Sequence, residues 1–516
     1  MIRRTLAVAL AGGVAAAVTA VGPASAHQPD GYRVHSGHSL NAQLELNGTL
    51  ISHTAPAHGT VKLDPSGRFH YTPAAGFTGT DSFRYTTSDA VRLYSTDLPP
   101  LATIGGVKIT GGAYGSSFTP VPGHRNLFYG LTDRGPNVDA PDGAKVEPLP
   151  EFQPAIGEFR LTGHKAVLLK RIGLQAADGT PYNGQVDPQA TTGETIEDRN
   201  GNPLPTSPNG YDPEGLVAMP DGTFWVSDEY GPFITHFDRT GRQIERLSPF
   251  GGGLPAELAM RVPNKGMEGL TVTPDGRTLV GIMQSALQTP DLTDKPGNVA
   301  PLRIVTYDLK SRATHEYLYL LDDPKDNDTA VSEITAVSNT DFIVDERDGD
   351  FEPGAYKKLF SIDISSATDV GPHARGTYDA AKGGLLMGPK HESIEAFAGD
   401  HKTATVQSDL RAAGIRPVTK SLRVDIGRLV TGLDPTGAFF GHDKVEGVAS
   451  IDHGRTLVVS NDNDFGIDGV SNDSPPYTLH AKILPNGQQD DGEYLAIDTT
   501  RLHQPARTGT VTITVQ

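Results

Sequence analysis

The chain has 516 residues and contains no cysteine. It therefore has no disulfide, no thiolate metal site and no cysteine nucleophile, which excludes the cysteine-dependent phosphatases. It also lacks the Gly-x-Ser-x-Gly elbow of α/β-hydrolases, the Arg-His-Gly-x-Arg-x-Pro stretch of histidine acid phosphatases, and the P-loop and dinucleotide fingerprints. Acidic side chains remain as the main candidates for chemistry.

Basic residues are outnumbered, with 44 Lys and Arg against 62 Asp and Glu. An acidic surface disfavours nucleic acids and anionic membranes as partners and suits the binding of cations. The only long apolar run, residues 6–21, follows a basic start and precedes an Ala-Ser-Ala exit ending at Ala26. This pattern predicts a secretory signal peptide, residues 1–26, cleaved after Ala26, with an uncleaved anchor as the alternative. No other segment predicts a membrane span.

Glycine (59) and proline (39) are abundant and helical periodicity is scarce, which favours short strands and turns. Four stretches share one pattern: a glutamate, a short alternating run, a turn and a second β-rich run. The shared glutamates are Glu214, Glu268, Glu333 and Glu446. Repeats of this size predict a radial or stacked β-architecture.

The gaps between these glutamates are 54, 65 and 113 residues, so the last gap predicts one disguised unit, with His391-Glu392 as a weak candidate. Residues 114–133 have the same shape without the glutamate. We therefore expect an all-β protein whose residues 101–503 form a β-propeller of about six blades, with seven as the alternative. The aperiodic segment 182–211 predicts a surface insertion over the mouth of the channel.

Residues 27–95 contain a hairpin of strands 60–63 and 68–72 and a third strand at 81–87. The Gly-Thr-Val…Gly-Arg-Phe-His-Tyr-Thr-Pro…Gly-Thr-Asp-Ser-Phe-Arg-Tyr pattern resembles bacterial immunoglobulin-like or cadherin-like modules. The Thr-Val strand that normally closes such a module is found at residues 508–516. We expect the propeller to be inserted into this β-sandwich, the alternative being that the last strand belongs to the propeller. Such a module could contact a cell surface or matrix.

The first strand of each propeller blade lines the central channel, so the four glutamates are expected to converge there. Packed carboxylates repel one another unless a cation or shared protons neutralise them, and Ca²⁺ is the expected cation. The acidic turns 345–350 and 461–464 add Glu346 and Asp462 to the candidate ligands. The alternatives are local caps for the glutamates and solvated surface turns for the acidic runs.

Residues 111–468 resemble the "esterase-like activity of phytase" family. The resemblance rests on Asp212-x-Glu-Gly, Phe-Trp-Val-Ser-Asp-Glu-Tyr-Gly-Pro at 224–232, Asn264-x-Gly-x-Glu-Gly-Leu, the Asp-Glu-Arg turn at 345–347 and Glu446-Gly. It implies a secreted phytase-like β-propeller domain with recurrent acidic residues. The third unit departs from the pattern, because it reads Glu333-Ile instead of Glu-Gly.

A more distant relation to β-propeller phytases implies a calcium-activated water that attacks a phosphate ester. By that analogy Glu214, Asp228 and Glu229 would be calcium ligands, Arg347 would clamp phosphate and a nearby carboxylate would accept the proton. The predicted catalytic residues are Glu214, Asp228, Glu229, Arg347 and Glu268. The predicted metal ligands are Glu214, Asp228, Glu229, Glu268, Glu333, Glu346, Glu446 and Asp462.

The function expected from the sequence is a secreted, calcium-binding hydrolase that acts on small phosphate esters. Two alternatives remain open. One is a non-catalytic secreted propeller for binding or adhesion, and the other is a lactonase-like ester hydrolase.

Overall fold

A computed structural model describes residues 31–190 and 193–516. The predicted signal peptide, residues 1–26, lies outside the described residues. One compact unit ends its first segment at Glu45 and continues over His53–Arg84 and Gly509–Gln516, while the other comprises Leu46–Ser52 and Tyr85–Thr508. None of the helices in the described part is both long and apolar enough to cross a bilayer.

The smaller unit is built from β-strands. A three-stranded antiparallel sheet runs in the order Leu40–Gln43, Arg68–Pro73, Gly59–Leu63. The last strand of the chain, Arg507–Val515, pairs in parallel with Tyr32–Val34, with Tyr32 opposite Ile513. This pairing is what an inserted propeller requires of the final strand.

The aromatic side chains Phe69 and Phe83 form the core of this unit, with ring centroids 5.5 Å apart. Asp81 is also buried, and its carboxylate accepts hydrogen bonds from the Tyr71 hydroxyl at 2.8 Å and from the His58 backbone amide at 3.0 Å. A buried carboxylate with several donors avoids the cost of an unpaired charge. Its position explains the aspartate in the Gly-Thr-Asp-Ser-Phe motif.

The described residues of the larger unit form five four-stranded antiparallel blades, of which blades 1 and 5 are joined at their outer strands by one parallel pair, Lys165 and Ser95. Blade 1 is Ser117–Pro120, Leu127–Leu131, Ala155–Thr162 and Lys165–Gly173; blade 2 is Pro213–Ala218, Phe224–Asp228, Ile234–Phe237 and Gln243–Leu247; blade 3 is Met267–Val272, Thr278–Met283, Pro301–Asp308 and Thr314–Leu320. Blade 4 is Ala330–Ala336, Asp341–Arg347, Lys357–Asp363 and Thr419–Asp425; blade 5 is Val445–Ile451, Thr456–Asn461, Glu493–Asp498 and Val91–Ser95.

The first strands of neighbouring blades lie side by side and complete a ring around the channel. The outermost strand of blade 5, Val91–Ser95, comes from the beginning of the unit and pairs with Glu493–Asp498. An early strand therefore completes the last blade and ties the beginning of the unit to its end. The prediction of an all-β propeller is confirmed.

The described residues form five blades instead of the expected six or seven. The long gap between Glu333 and Glu446 contains an insertion, residues 364–418, between the third and fourth strands of blade 4. It carries the helices Ile394–Ala398 and Thr403–Ala412, whose side chains Ile394 and Leu410 are buried in the core shared with blades 3 and 4. His391 and Glu392 belong to this insertion and not to a further blade.

The remaining elements are short. The other helices are Pro324–Asn327 and Ile426–Leu433, with 3₁₀ turns at Pro188–Ala190, Ala256–Met260, Pro296–Asn298, Ala380–Lys382 and Asp464–Gly466. The other strands are Thr49–His53, Gly79–Ser88, Ala102–Ile104, Val107–Ile109, Val138–Asp139, Lys145–Glu147, Ile196–Asp198, Tyr378–Asp379, Gly384–Leu385, Ile467–Val470 and Leu479–Ala481.

The first strands of blades 2 to 5 share one irregularity, a shift of register at the glutamate motif. It falls between Pro213 and Leu216, Met267 and Gly269, Val331 and Glu333, and Val445 and Val448. A β-bulge of this kind re-aims one side chain away from the regular alternation. In blades 2, 3 and 5 the residue at the bulge is Glu214, Glu268 or Glu446.

Blade 4 differs by one position. Its register places Ser332 where the other three blades carry glutamate, and Glu333 where they carry glycine. The expectation that Glu333 is equivalent to the other glutamates is therefore wrong by one residue. Blade 4 lacks the glycine of the Glu-Gly pair. At the other three bulges a Cβ on this glycine would lie 2.5–2.6 Å from a backbone nitrogen of the neighbouring blade, whereas blade 4 accommodates the side chain of Glu333.

Candidate functional site

The mouth of the channel opens into a cavity of about 500 Å³. Its wall is formed by the ends of the first and second strands of all five blades and by the loops around them. The acidic lining residues are Asp133, Asp139, Asp212, Glu214, Glu229, Glu268, Asp443, Glu446, Asp462, Asp464 and Asp468, and the basic ones are Arg134, Lys145, Lys265, Arg347 and Lys444. Negative groups therefore outnumber positive groups at the surface of this cavity.

Three carboxylates in blade 2 form the tightest acidic cluster. Asp212, Glu214 and Glu229 each offer a carboxylate oxygen, and these oxygens lie within 4.8 Å of one another. We call this group the blade 2 triad. Asp212 immediately precedes the first strand, Glu214 sits at its bulge and Glu229 follows the second strand. The backbone amide of Glu229 donates to the Asp212 carbonyl at 3.0 Å, which ties the two strand ends together.

The triad is buried, with exposed fractions of 3% for Asp212, 8% for Glu214 and 5% for Glu229. Burial raises the pKa of Glu214 well above its usual value, and repulsion from Asp212 and Glu268 raises it further. Burial and Glu268 likewise raise the pKa of Glu229. Each shift reports the same physical fact: the ionised triad lacks enough positive charge around it.

Glu268, at the bulge of blade 3, stands beside the triad. It is 2% exposed, and its Oε2 atom has no hydrogen-bond partner among the described residues. Burial and the neighbouring Glu446 raise the pKa of Glu268 to about 8. An unpartnered carboxylate oxygen buried at the wall of a polar cavity is costly unless something in the cavity binds it.

The other side of the mouth contains its own cations. Arg347 in blade 4 donates to the carboxylate of Glu446 and, at 3.0 Å, to Ser332 Oγ. This ion pair compensates the bulge glutamate of blade 5. Burial acts to lower the pKa of the Arg347 guanidinium, but Glu446 and Glu268 raise it overall, so the arginine remains charged.

Lysines neutralise the acidic turn at 461–464. Lys444 Nζ lies 3.4 Å from Asp462 and 2.5 Å from Asp464, and Lys482 Nζ lies 2.7 Å from Asp464. Lys482 also lies 2.7 Å from Asp443. Although burial opposes it, the two lysines hold the pKa of Asp464 well below its usual range.

The second acidic turn, at 345–350, is also neutralised by a lysine. Lys357 Nζ donates to the Asp348 carboxylate, to the Asp348 carbonyl at 2.9 Å and to the Asp350 carbonyl at 3.0 Å. A lysine ammonium of the protein thus neutralises the end of this acidic turn. Only the blade 2 triad emerges as a group of three potential metal-binding side chains among the described residues.

Three predicted site residues lie outside the lining of the cavity. Asp228 accepts from the backbone amides of Gly231 at 2.6 Å and Asp212 at 3.3 Å, so it organises the turn instead of facing the mouth. Glu346 accepts from Tyr319 Oη at 2.8 Å and Lys420 Nζ at 2.6 Å.

Glu333 is the third. Its Oε2 atom accepts from Ser117 Oγ of blade 1 at 2.5 Å, and its Oε1 atom accepts from the backbone amides of Leu270 at 3.1 Å and Ile334 at 2.9 Å. The side chain therefore reaches across the channel and is fully occupied by protein donors.

Two residues of the site were absent from the predicted ligand set. Asp212 is part of the Asp-Pro-Glu-Gly motif, but the other repeats have no aspartate at the equivalent position. Asp133 follows the second strand of blade 1, as Glu229 does in blade 2, and burial raises its pKa with help from Asp462 and Asp212. The Thr-Asp-Arg sequence after the strand at 127–131 was the available signal.

The predicted insertion 182–211 does reach the rim of the cavity. Glu194 accepts a hydrogen bond from Tyr230 Oη, and Arg134, which lines the cavity, donates to the same hydroxyl. Arg134 also lies 4.0 Å from Asp212. The insertion is therefore connected to the triad through Tyr230 and Arg134.

Comparison with known proteins identifies both parts of the chain. Residues 108–465 match the family described as "esterase-like activity of phytase", and residues 19–97 match a bacterial immunoglobulin domain. The first match extends over more than half of the chain. The chain belongs to the esterase-like activity of phytase family. The resemblance drawn from the sequence is confirmed.

One relative of this phytase-like protein is an uncharacterized secreted protein of Arthroderma benhamiae, 30% identical over 232 residues. The match covers 35% of this chain and 45% of the relative, so the chain spans less than half of the relative's length.

Solved structures give weaker matches. An α-L-arabinofuranosidase from Podospora anserina has a TM-score of 0.31 at 9% identity, covering 79% of this chain and 97% of that chain. The Cps50 β-propeller domain from Myceliophteria thermophila has a TM-score of 0.20 at 11% identity, covering 53% and 74%. Similarity at this level carries no argument about function.

Proposed function

We propose that this phytase-like protein is a secreted hydrolase that binds calcium at the blade 2 triad and cleaves phosphate esters in the cavity above it. The observation that carries the proposal is the triad itself: three buried carboxylates whose oxygens lie within 4.8 Å of one another at the wall of an open cavity. The family supports a hydrolase-like propeller, and the secreted relative and the signal-like N-terminus support export.

The triad fits a calcium ion on chemical grounds. Calcium takes oxygen ligands at roughly 2.3–2.6 Å, so two oxygens on one ion are at most about 5.2 Å apart. The oxygens of Asp212, Glu214 and Glu229 satisfy this limit. All three are hard carboxylate donors, which suit calcium better than a soft transition metal.

A calcium ion held there would neutralise an anionic ester and lower the pKa of a bound water. The protein's own groups divide the remaining work. Asp212, Glu214 and Glu229 would hold the ion, and Oε2 of Glu268, in its ionised form, would accept a proton from the attacking water. Arg347 keeps Glu446 neutralised, which leaves the triad as the acidic group that would hold the ion.

The test is hydrolysis of p-nitrophenyl phosphate, p-nitrophenyl acetate and phytate, with calcium and with a chelator. Glu214→Gln should abolish calcium-dependent phosphate release. Glu151→Gln is the matched control, because Glu151 is exposed and lies outside the cavity lining. Turnover of the acetate alone would reassign the protein to carboxylic-ester or lactone hydrolysis. No turnover, with calcium still raising the melting temperature, would make it a binding module.

A further inference from the structure

The basic residues of the cavity differ in what they bind. Four of the five are already paired with carboxylates: Arg134 with Asp212 and Glu194, Lys145 with Asp139, Arg347 with Glu446, and Lys444 with Asp462 and Asp464. Lys265 has no ion pair or side-chain hydrogen bond within the described residues, and it is exposed. It is therefore the available positive charge of this lining.

The backbone holds Lys265 in a defined place. Residues 262–265 form a tight turn in which the Lys265 amide donates to the Val262 carbonyl at 3.1 Å. Pro263 restricts the second position of this turn, and Asn264 adopts a left-handed φ of 56° at the third. Proline followed by asparagine at these positions is typical of a type II turn. The turn therefore presents Lys265 with little backbone freedom.

The next residue fixes this turn against the triad. A Cβ atom on Gly266 would lie 2.0 Å from the carbonyl oxygen of Glu229, so only glycine permits this close approach. The Lys265 ammonium is near enough to act against the burial that raises the pKa of Glu229, yet it makes no ion pair with that carboxylate. Lys265 thus stands next to the proposed calcium position without occupying it.

We infer that Lys265 binds the anionic group of the substrate, so that the group is held between its ammonium and the blade 2 triad. This inference rests on the proposed function and narrows the substrate class to esters that carry a phosphate or carboxylate. A lysine ammonium is a flexible point charge with three donors, which suits tetrahedral phosphate and planar carboxylate alike. The remaining lining cations cannot take this role without breaking the ion pairs just described.

The experiment is calorimetric binding of inorganic orthophosphate and of succinate to the full chain in calcium. The variants are Lys265→Ala and Lys265→Arg, with Lys310→Ala as a control, since Lys310 is an exposed lysine outside the cavity lining. Lys265→Ala should weaken binding of the preferred anion roughly ten- to a hundredfold, the usual effect of losing a hydrogen bond to a charged group. Lys265→Arg should recover most of the affinity, and Lys310→Ala should leave it unchanged. Whether orthophosphate or succinate shows the larger loss identifies the anionic group.

Kinetics separate recognition from a general disturbance. With an anionic ester, Lys265→Ala should raise KM while kcat stays within about threefold, as expected for an interaction made equally in the ground and transition states. Unchanged anion affinity in Lys265→Ala, or no binding of either anion by the unaltered protein, overturns the inference. Absence of a calcium-dependent melting shift would instead overturn the proposed function, while a Lys265-dependent affinity would still support anion recognition.

Discussion

The two sides of the channel mouth differ in how their acidic side chains are neutralised. On the side of blades 4 and 5, a lysine or arginine of the protein lies beside each of Asp443, Glu446, Asp462 and Asp464, as with Arg347 and Glu446. On the side of blade 2, the triad makes a single ion pair among the described residues, that of Asp212 with Arg134 at 4.0 Å, while Lys265 lies near Glu229 without pairing with it. Glu446 and Asp462 are as deeply buried as the triad, so solvent does not explain the difference.

The contrast separates carboxylates that the protein neutralises from carboxylates that it does not. A carboxylate that is paired with a buried lysine needs no further cation, and removing either partner leaves an uncompensated charge. A group of carboxylates without such a partner is stable only when protonated or when a cation binds. In the sequence, the acidic turns at 345–350 and 461–464 had the same interpretation as the blade 2 carboxylates. In the structure, however, these two turns are paired with Lys357, Lys444 and Lys482.

The largest expected effect comes from breaking the lysine side. Lys482→Met removes a buried ammonium, 1% exposed, from Asp443 and Asp464. We expect a loss of about 3–5 kcal/mol in the free energy of unfolding, because a buried ammonium is removed and two partly buried carboxylates lose a partner. Urea unfolding measures it, with exposed Lys310→Met as the control. A loss similar to that of the control would show that these carboxylates do not depend on Lys482.

The next effect probes the blade 2 side. Calcium at about a hundred times its dissociation constant should stabilise the protein by roughly 2.7 kcal/mol, since only the folded state forms the site. Glu214→Gln should remove most of this gain, and Asp464→Asn, on the lysine side, should keep it. Thermal unfolding in calcium and in chelator compares them. An equal calcium response in Glu214→Gln would place the ion elsewhere.

A third cluster tests what one guanidinium can neutralise. Arg303 donates to Glu316 at 3.1 Å and to Glu395 at 2.8 Å, while Glu257 accepts from Tyr378. Arg303 and all three glutamates are 0% exposed. Burial raises the pKa of Glu316 from 4.5 to about 8, against the opposing effect of Arg303 and with the help of Glu257.

The folded protein therefore binds this proton more tightly than the unfolded chain does. The contribution of Glu316 to stability is greatest at low pH, falls as the pH rises from about 4.5 to about 8, and is then constant. Glu316→Gln should remove this slope, because the amide stays neutral. Denaturant midpoints between pH 4 and 9 test the prediction against exposed Glu151→Gln, and identical slopes in the two variants would refute it.

Much of the fold could be predicted from local patterns. The Glu-Gly motifs and the Pro-Asp-Gly turns after them mark the paired inner strands, and the closing Thr-Val strand matches the module at the other end of the chain. The blade count could not be read in this way. Blade 1 lacks the glutamate. The insertion at 364–418 lengthens blade 4, so that the distance along the chain from Glu333 to Glu446 is close to that of two blades.

The site was only partly predictable for a related reason. Glu214 and Glu268 were named because their motifs repeat, and Glu229 by analogy with β-propeller phytases. The one-residue shift of Glu333 depends on strand register, which the spacing of glutamates does not reveal. The pairing of Lys482 with Asp464 depends on the fold of a hairpin, so the same acidic turn reads as a metal site until its lysine is located.

The smallest expected effect is also the most direct test of the contrast. Gln284 follows the second strand of blade 3 at the position that Arg347 holds in blade 4, and it lines the cavity beside Glu268. Gln284→Arg should supply the missing cation, raising the stability of the calcium-free protein by about 1 kcal/mol and reducing the calcium response.

Gln284→Met is the matched control, because it keeps the bulk of the side chain without the charge. Melting temperatures in calcium and in chelator give both quantities for each variant. If arginine and methionine have the same effect, the packing of residue 284 is responsible. The alternative outcome is that only arginine raises the calcium-free melting temperature and lowers the calcium response. In that case one guanidinium at position 284 neutralises the carboxylates of the blade 2 side, as Arg347 does for Glu446. The lack of a positive charge at this position would then be the reason why the triad binds an ion.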